Sequence, residues 1–246
     1  MEIGAQQLTN SFLQATDKLE RLGYLFGVLT PPPLPAPRST HMLASGLEHL
    51  AEDAPPARVF WTWLGFDYAS IDIDGSPGSI PLDLNYDAAP AGHRARYDLV
   101  TNFGTTEHVA NQLNAFAVIH DLTRHGGVII HELPVHGSFN HGLINYNFKF
   151  FWLLARSNHY RFIDSVLSMD GDYYNLPTNI ADFLSEFGSD PGTLRSADAG
   201  LRLVMRKEYD IPFIPPIDVE TGVKTEHQML KDRYWTVFDP ERQPLP

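Results

Sequence analysis

The run Val128-Ile129-Ile130-His131-Glu132-Leu133, entered through Gly126-Gly127, limits the fold more than any other part of the chain. It is nearly continuously apolar, and a strand of that kind is covered on both faces. Helices crossing over parallel strands provide such cover. The rest of the chain reads accordingly. Strand patterns are predicted at 68–74, 79–85, 97–103, 160–169 and 201–208, with a short apolar stub before Gly4. Between them lie helical patterns. Leu8, Phe12, Leu13, Ala15, Leu19 and Leu22 recur at helical spacing over 8–25, and Thr9 or Asn10 is a candidate cap. Further helices are predicted at 40–51, 109–124, 147–158 and 178–187. The second of these should end on Gly126-Gly127. The aromatic segment 58–64 reads as a helix end or turn. The Pro31–Pro37 stretch is a stiff loop. Past Asp210 the chain is Pro-rich, with a short helix near 226–232.

Strands alternating with helices predict an α/β fold with a parallel or mostly parallel sheet. The expected organisation is one domain over 1–209, carrying a Pro-rich insert at 30–57. Residues 210–246 form an extension packed on it. At 246 residues with 43% hydrophobic content the chain can bury such a core, and 20% charged residues argue against disorder. The net charge of -12 repels phosphate backbones and anionic membranes. Arg94 and Arg96 are too few for a basic patch, and Arg202, Arg206 and Lys207 sit in a strand-like stretch. A small-molecule substrate is therefore expected, with no nucleic acid and no membrane. Without cysteine, disulfides, thiolate metal sites and cysteine nucleophiles are excluded. No apolar run approaches the ~20 residues of a spanning helix, and the N-terminus has no signal-peptide pattern. Cytoplasmic residence is the expectation.

In open parallel sheets, ligands bind at the carboxyl ends of the strands. Those ends select the candidates. Gly4 follows the first stub, where a glycine lets backbone approach a ligand near a helix start. Asp72 and Asp74 end the next strand. A carboxylate there can accept ribose hydroxyls, and reads equally as a solvated turn acid. Asp83 can accept from an adenine amine while Leu84 packs on the ring; the other reading is a turn acid. Asn102-Phe103-Gly104-Thr105-Thr106-Glu107-His108 is the densest polar cluster at a strand end. His108 at a helix start would stay neutral and can act as a base. Thr105, Thr106 and Glu107 can also be read as helix capping.

The run 97–109, Tyr97-Asp98-Leu99-Val100-Thr101-Asn102-Phe103-Gly104-Thr105-Thr106-Glu107-His108-Val109, resembles the fourth-strand motif of class I S-adenosylmethionine methyltransferases. It looks most like a bacterial subgroup with a GT-x-EH element. Residues 126–134 resemble that family's helix-to-fifth-strand element, and 140–147 with Phe150-Phe151 its next loop and helix. The resemblance implies a Rossmann-like three-layer sandwich of about seven strands, and methyl transfer from S-adenosylmethionine to an oxygen or nitrogen of a small molecule. It implies cofactor contacts from Glu2, Gly4, Gln6, Asp72, Asp83, Leu84, Asn102, Gly104 and Thr105. Placement at strand ends, apart from the resemblance, makes His108 or His141 the candidate base, and Glu107, His136, Asn140 and Tyr146 are the candidates to line the substrate pocket.

Two departures stand out. The family's first strand has several residues before its acidic position, whereas Glu2 is the second residue here, so either a shortened first strand or a truncated start is expected. The Pro-rich insert is the other. The first rival reading is therefore a methyltransferase-like domain that has lost catalysis or cofactor binding. The second is a histidine-ligated metalloenzyme built on His131, His136 and His141, whose spacing matches no established motif; no metal is expected.

Overall fold

The computed structural model describes residues 1–9, 12, 15–33, 55–74, 76, 78–137, 141–177, 182, 185, 198–219 and 227–238. They fall into two compact units, Met1–Leu82 and Asp83–Pro246. The fold is Rossmann-like α/β, with eight strands among the described residues where about seven were expected.

The first unit holds β1 (Glu2–Ile3), α1 (Thr16–Leu25), α2 (Arg58–Trp63), β2 (Ser70–Asp72) and β3 (Ile80–Pro81). Its three strands are parallel, with Ile3 opposite Ile71 and Ile71 opposite Ile80. The apolar cluster Leu8, Leu19, Ala57, Phe60 and Leu64 gathers Phe12, Leu22, Trp61, Trp63 and Phe66 around it. Two expectations change here. Of the helix predicted over 8–25, Phe12 is helical with its N–H on the predicted cap Thr9 Oγ1 at 3.3 Å, and α1 itself runs from Thr16. Residues 6–8 are instead held extended: Leu8 N–H donates to Pro55 O at 2.8 Å, and Ala57 N–H to Gln6 O at 2.9 Å. Leu8 reaches the predicted core from this extended segment, and Phe12 packs against the same cluster. The aromatic segment forms the helix α2, with Phe60 turned inward. The helix predicted over 40–51 lies outside the described residues.

The second unit holds β4 (Tyr97–Phe103), α3 (Gln112–Leu122), β5 (Thr123–His136), α4 (Phe148–Asn158), β6 (Tyr160–Met169), β7 (Asp172–Asn175), β8 (Ala199–Lys207), α5 (Gln228–Arg233) and α6 (Trp235–Phe238). Strand order is β4-β5-β8-β6-β7. β4 and β5 are parallel, and β8 is antiparallel to both β5 and β6, so β4, β5 and β6 share one direction. Val100, Ile129, Leu203 and Met205 are wholly buried on one face of the sheet, whereas Val128 and Ile130 on the other face are half-buried and Glu132 is exposed, so the cover of the apolar run is less complete than expected on that side.

The junction of α3 and β5 differs from expectation. The helix stops at Leu122, and Gly126-Gly127 does not cap it. The last-turn carbonyls find another partner: the buried Lys207 ammonium donates to His120 O and Thr123 O, both at 3.0 Å. The glycines instead form an irregularity inside β5. Thr123 pairs with Tyr97 while Val128 pairs with Leu99. Gly126 takes φ +73°, and a Cβ on Gly127 would stand 2.9 Å from Tyr97 O.

A second difference is β7. Asp170 and Gly171 both have positive φ, 48° and 92°, the backbone of a tight hairpin turn that Asp-Gly favours. They return the chain along β6. Beyond β8, residues 210–219 pack along the unit: Asn158 exchanges two side-chain bonds with Ile214, and Thr236 Oγ1 donates to Ser157 O. The predicted short helix appears as α5 and is followed by α6; the helix predicted over 178–187 lies almost entirely outside the described residues. Among the described residues no helix is long and apolar enough to cross a membrane.

Asn147 caps α4 by accepting Phe150 N–H at 2.9 Å. Asn147→Ala is expected to lower unfolding free energy by about 1 kcal/mol, measured by urea denaturation, with α4's buried Phe151 and Leu154 keeping the fold intact.

Candidate functional site

The carboxyl end of β4 is built around one buried amide. Asn102 Nδ2 donates to Thr106 Oγ1 at 2.8 Å and to His131 Nδ1 at 3.0 Å, and Asn102 Oδ1 accepts Thr106 N–H at 3.2 Å. Thr106 Oγ1 also meets the Tyr146 hydroxyl at 3.0 Å, and that hydroxyl donates to Gln112 Oε1 at 2.5 Å. Gln112 Nε2 returns to Thr106 O at 2.7 Å. Burial drives the His131 pKa down to about 3, so the ring is neutral and accepts at Nδ1. Burial pushes the Tyr146 phenol up, keeping it a donor. This network bends the chain into a 3-10 turn at Thr106–His108, and α3 starts only at Gln112 behind the Asn111 cap. The predicted helix start at Val109 is thereby displaced.

Gly104, at φ +64°, starts the turn, and its N–H donates to Glu132 O at 3.0 Å. A Cβ there would lie 3.4 Å from Glu107 Oε1. Thr105 follows, its carbonyl accepting His108 N–H. The turn ends by delivering Glu107 inward and His108 outward.

Glu107 is the site's unusual group. Its side chain is 1% exposed, and neither carboxylate oxygen has a hydrogen-bond donor among the described residues. His141 Nε2 approaches Oε1 to 3.5 Å and His108 Nε2 to 4.0 Å. These are electrostatic approaches and not formed hydrogen bonds. The two rings stand 5.1 Å apart and are half-exposed. Burial raises the Glu107 pKa, and its own backbone amide and then the two histidines oppose that rise. The loop carrying His141 is fastened to the turn. Leu143 and Ile144 N–H groups both donate to Glu107 O, at 2.8 and 3.1 Å. A Cβ on Gly142 would come within 2.8 Å of Glu107 Cγ.

In the first unit, the strand ends form a second constellation. Gly4 takes φ +74° directly after β1, a conformation that suits glycine. Its N–H donates to Ile71 O at 3.0 Å. Asp72, ending β2, accepts Ala5 N–H on Oδ2 at 2.7 Å and Asp74 N–H on Oδ1 at 3.2 Å. Glu2 is buried and accepts from Gln6 N–H at 3.1 Å, Trp61 Nε1–H at 3.3 Å and the Tyr68 hydroxyl at 2.5 Å. Burial raises its pKa and these donors hold it down.

The remaining candidates are spread more widely. Asp83 closes a turn, accepting Asn85 N–H at 2.8 Å while its own N–H donates to Asp87 Oδ2 at 2.8 Å. Leu84 is buried, and its carbonyl accepts from Asn114 Nδ2. His136 is exposed at the end of β5. His131 is occupied by Asn102. The metal-capable cluster found among the described residues is Glu107 with His108 and His141, a different set from His131, His136 and His141. Asn140 lies outside the described residues. Sequence reading did not single out Gly142, Gln112, Trp61 or Tyr68. Each acts through a contact distant in the chain, and no local spacing signals it.

Two outcomes test the support of Glu107. Gly142→Ala, forcing a methyl against Glu107 Cγ, should cost about 1–3 kcal/mol by thermal or urea unfolding. The raised Glu107 pKa means that the folded state binds its proton more readily than the unfolded state does. Stability from this group is therefore present at acid pH and lost as pH rises from the ordinary carboxylate range through the folded pKa. In chelator-treated protein, Glu107→Gln should raise neutral-pH stability and flatten that slope, as read by unfolding midpoints across pH.

No family model matches the chain, and no curated protein matches it. Similar solved structures include the StiE O-methyltransferase, at TM-score 0.37 and 18% identity, covering 57% of this chain and 58% of that chain. The 1,6-didemethyltoxoflavin-N1-methyltransferase of Burkholderia thailandensis, with 1,6-didemethyltoxoflavin and S-adenosylhomocysteine bound, gives 0.40 and 13%, covering 61% and 65%. An S-adenosylmethionine-dependent methyltransferase of Mesorhizobium loti gives 0.30 and 10%, covering 60% and 85%. The chain thus spans less than two thirds of the first two, and likeness at this level assigns no residue a role.

Proposed function

We propose that this chain transfers a methyl group from S-adenosylmethionine to an oxygen or nitrogen of a small-molecule acceptor. The observation that carries the reading is the pairing of Gly4 and Asp72 at the ends of two parallel neighbours. Gly4 turns without a side chain, and the next amide, Ala5 N–H, is held on Asp72 at 2.7 Å. A glycine turn beside a carboxylate suits a nucleoside group. A carboxylate has about four acceptor positions, and two backbone amides occupy only part of that capacity on Asp72. Glu2 holds the turn by way of Gln6 N–H, and the Gln6 segment is tied to Ala57. In the second unit, Asp83, Leu84, Asn102, Gly104 and Thr105 remain proposed contacts on the strength of the sequence resemblance.

When bound, S-adenosylmethionine would supply a methyl on a positively charged sulfur. The protein's own work is positioning and proton removal. His141 is proposed as the base and His108 as its alternate. With Nε2–H of His141 directed at Glu107, Nδ1 is left to take the acceptor's proton. The buried carboxylate then stabilises the imidazolium, an arrangement that also fixes the tautomer. Tyr146 and His136 are proposed to line the acceptor's pocket, together with Asn140. The net charge of -12 accords with an acceptor that is neutral or cationic.

Calorimetric titration with S-adenosylhomocysteine tests the cofactor half: micromolar binding is expected, and Gly4→Val should abolish it. Absence of binding by the parent chain would favour the rival of a domain that has lost its cofactor. For the base, His141→Ala should lower turnover by about 10²–10⁴-fold while leaving S-adenosylhomocysteine affinity within about twofold. An unchanged rate in both His141→Ala and His108→Ala would remove histidine base catalysis.

A further inference from the structure

We propose that Glu107, His108 and His141 form a binding site for a first-row divalent metal ion, with open coordination positions facing solvent. Three observations meet there. The first is the Glu107 carboxylate, sealed from water yet without a hydrogen-bond donor on either oxygen among the described residues. A buried anion left so is costly unless a cation is supplied. The two imidazoles stand at 3.5 and 4.0 Å from it, poised around the carboxylate.

The second is geometry. One ligand atom from each residue lies within 4.8 Å of the other two. With bonds of ~2.0–2.2 Å to nitrogen and oxygen, tetrahedral angles put ligand atoms roughly 3.3–3.5 Å apart. The His141 to Glu107 separation already meets that value, and His108, 4.0 Å from Glu107 and within 4.8 Å of the His141 ligand atom, has to move closer to both. Half-exposed rings permit it without disturbing the core.

The third is the frame. Glu107 O is held by Leu143 and Ile144 N–H, and the absence of a side chain on Gly142 makes room for the Glu107 stem. The loop bearing His141 is thereby held against the turn bearing Glu107 and His108. The donor set is two imidazoles and one carboxylate, which suits zinc, iron(II), cobalt or manganese better than calcium or magnesium. Three protein ligands leave at least one position for water or for an oxygen of a bound molecule. Exposure of both rings provides the entry path.

This inference stands apart from the methyl-transfer reading. With Nε2 of His141 on a metal, the neutral ring carries its proton on Nδ1, so neither nitrogen would serve as the base in the loaded protein, and a bound cation would instead polarise an oxygen at its open position.

The test uses the full chain, produced without a histidine tag and stripped with chelator. Cobalt(II) is titrated and followed by visible absorption, with zinc(II) followed by calorimetry. About one ion per chain is expected, with cobalt bands characteristic of nitrogen and oxygen coordination and micromolar or tighter affinity. Glu107→Gln and the double variant His108→Ala/His141→Ala should each weaken binding by at least about 100-fold. His125→Ala, which alters an exposed histidine bonded to Glu208 O, should leave binding unchanged. Saturable uptake absent from the parent chain overturns the proposal. So does affinity retained in Glu107→Gln or in the double variant. The double variant alters half-exposed side chains and should keep its fold, so its result stands even where Glu107→Gln changes stability. S-adenosylhomocysteine binding is measured in parallel, and its loss or retention bears only on the methyl-transfer reading.

Discussion

The Asn102 side chain is the constraint on which the second unit's site depends. A primary amide buried at a strand end must satisfy two donors and an acceptor away from water. It does so by drawing Thr106 back toward β4 and by engaging a neutral His131 on the neighbouring strand. The chain then has little choice but to turn tightly after Gly104. Glu107 falls inward because of that turn, and the two histidines converge on it. Substituting a residue without both donor and acceptor at 102 would leave Thr106 N–H and His131 Nδ1 seeking partners.

Two glutamates show how little residue type alone decides. Glu2 and Glu107 are both about 1% exposed, and burial raises both pKa values. Glu2 receives an amide, an indole and a phenol, and serves as the internal anchor of a loop. Glu107 forms no well-aligned hydrogen bond among the described residues, with its own backbone amide and two imidazoles nearby. The first is saturated and structural in its contacts. The second retains its full capacity for a proton or a cation.

Much of this was legible in the chain itself. The bounds of β4 and β6 follow from hydrophobic patterning, as does α4 apart from Asn147, which caps the helix and is not its first residue, because local propensity and burial agree there. Periodicity over 8–25 extends too far at Leu8, because residues 6–8 spend their backbone groups on 55–57, a pairing that spacing does not reveal, while the Thr9 cap before the helical Phe12 is locally legible. Gly126-Gly127 looked like a helix stop, but Lys207, far along the chain, had already satisfied those carbonyls. The Asp170-Gly171 hairpin did have a local signal, and it was the neglected one. Glu107, His108 and His141 were all named from strand ends and resemblance. What the sequence could not convey was that the carboxylate is buried without a donor, because that depends on Gly142 closing over it.

The bond from Trp61 to Glu2 has an optical consequence. An indole whose N–H faces a buried carboxylate senses that group's charge and distance. Trp61 is one of four tryptophans, and it sits at 3.3 Å from the residue that anchors the Gly4 turn. Its emission is therefore an internal gauge of that turn: rearrangement of the backbone around Gly4 changes the field on the indole and shifts its fluorescence, without any label being added.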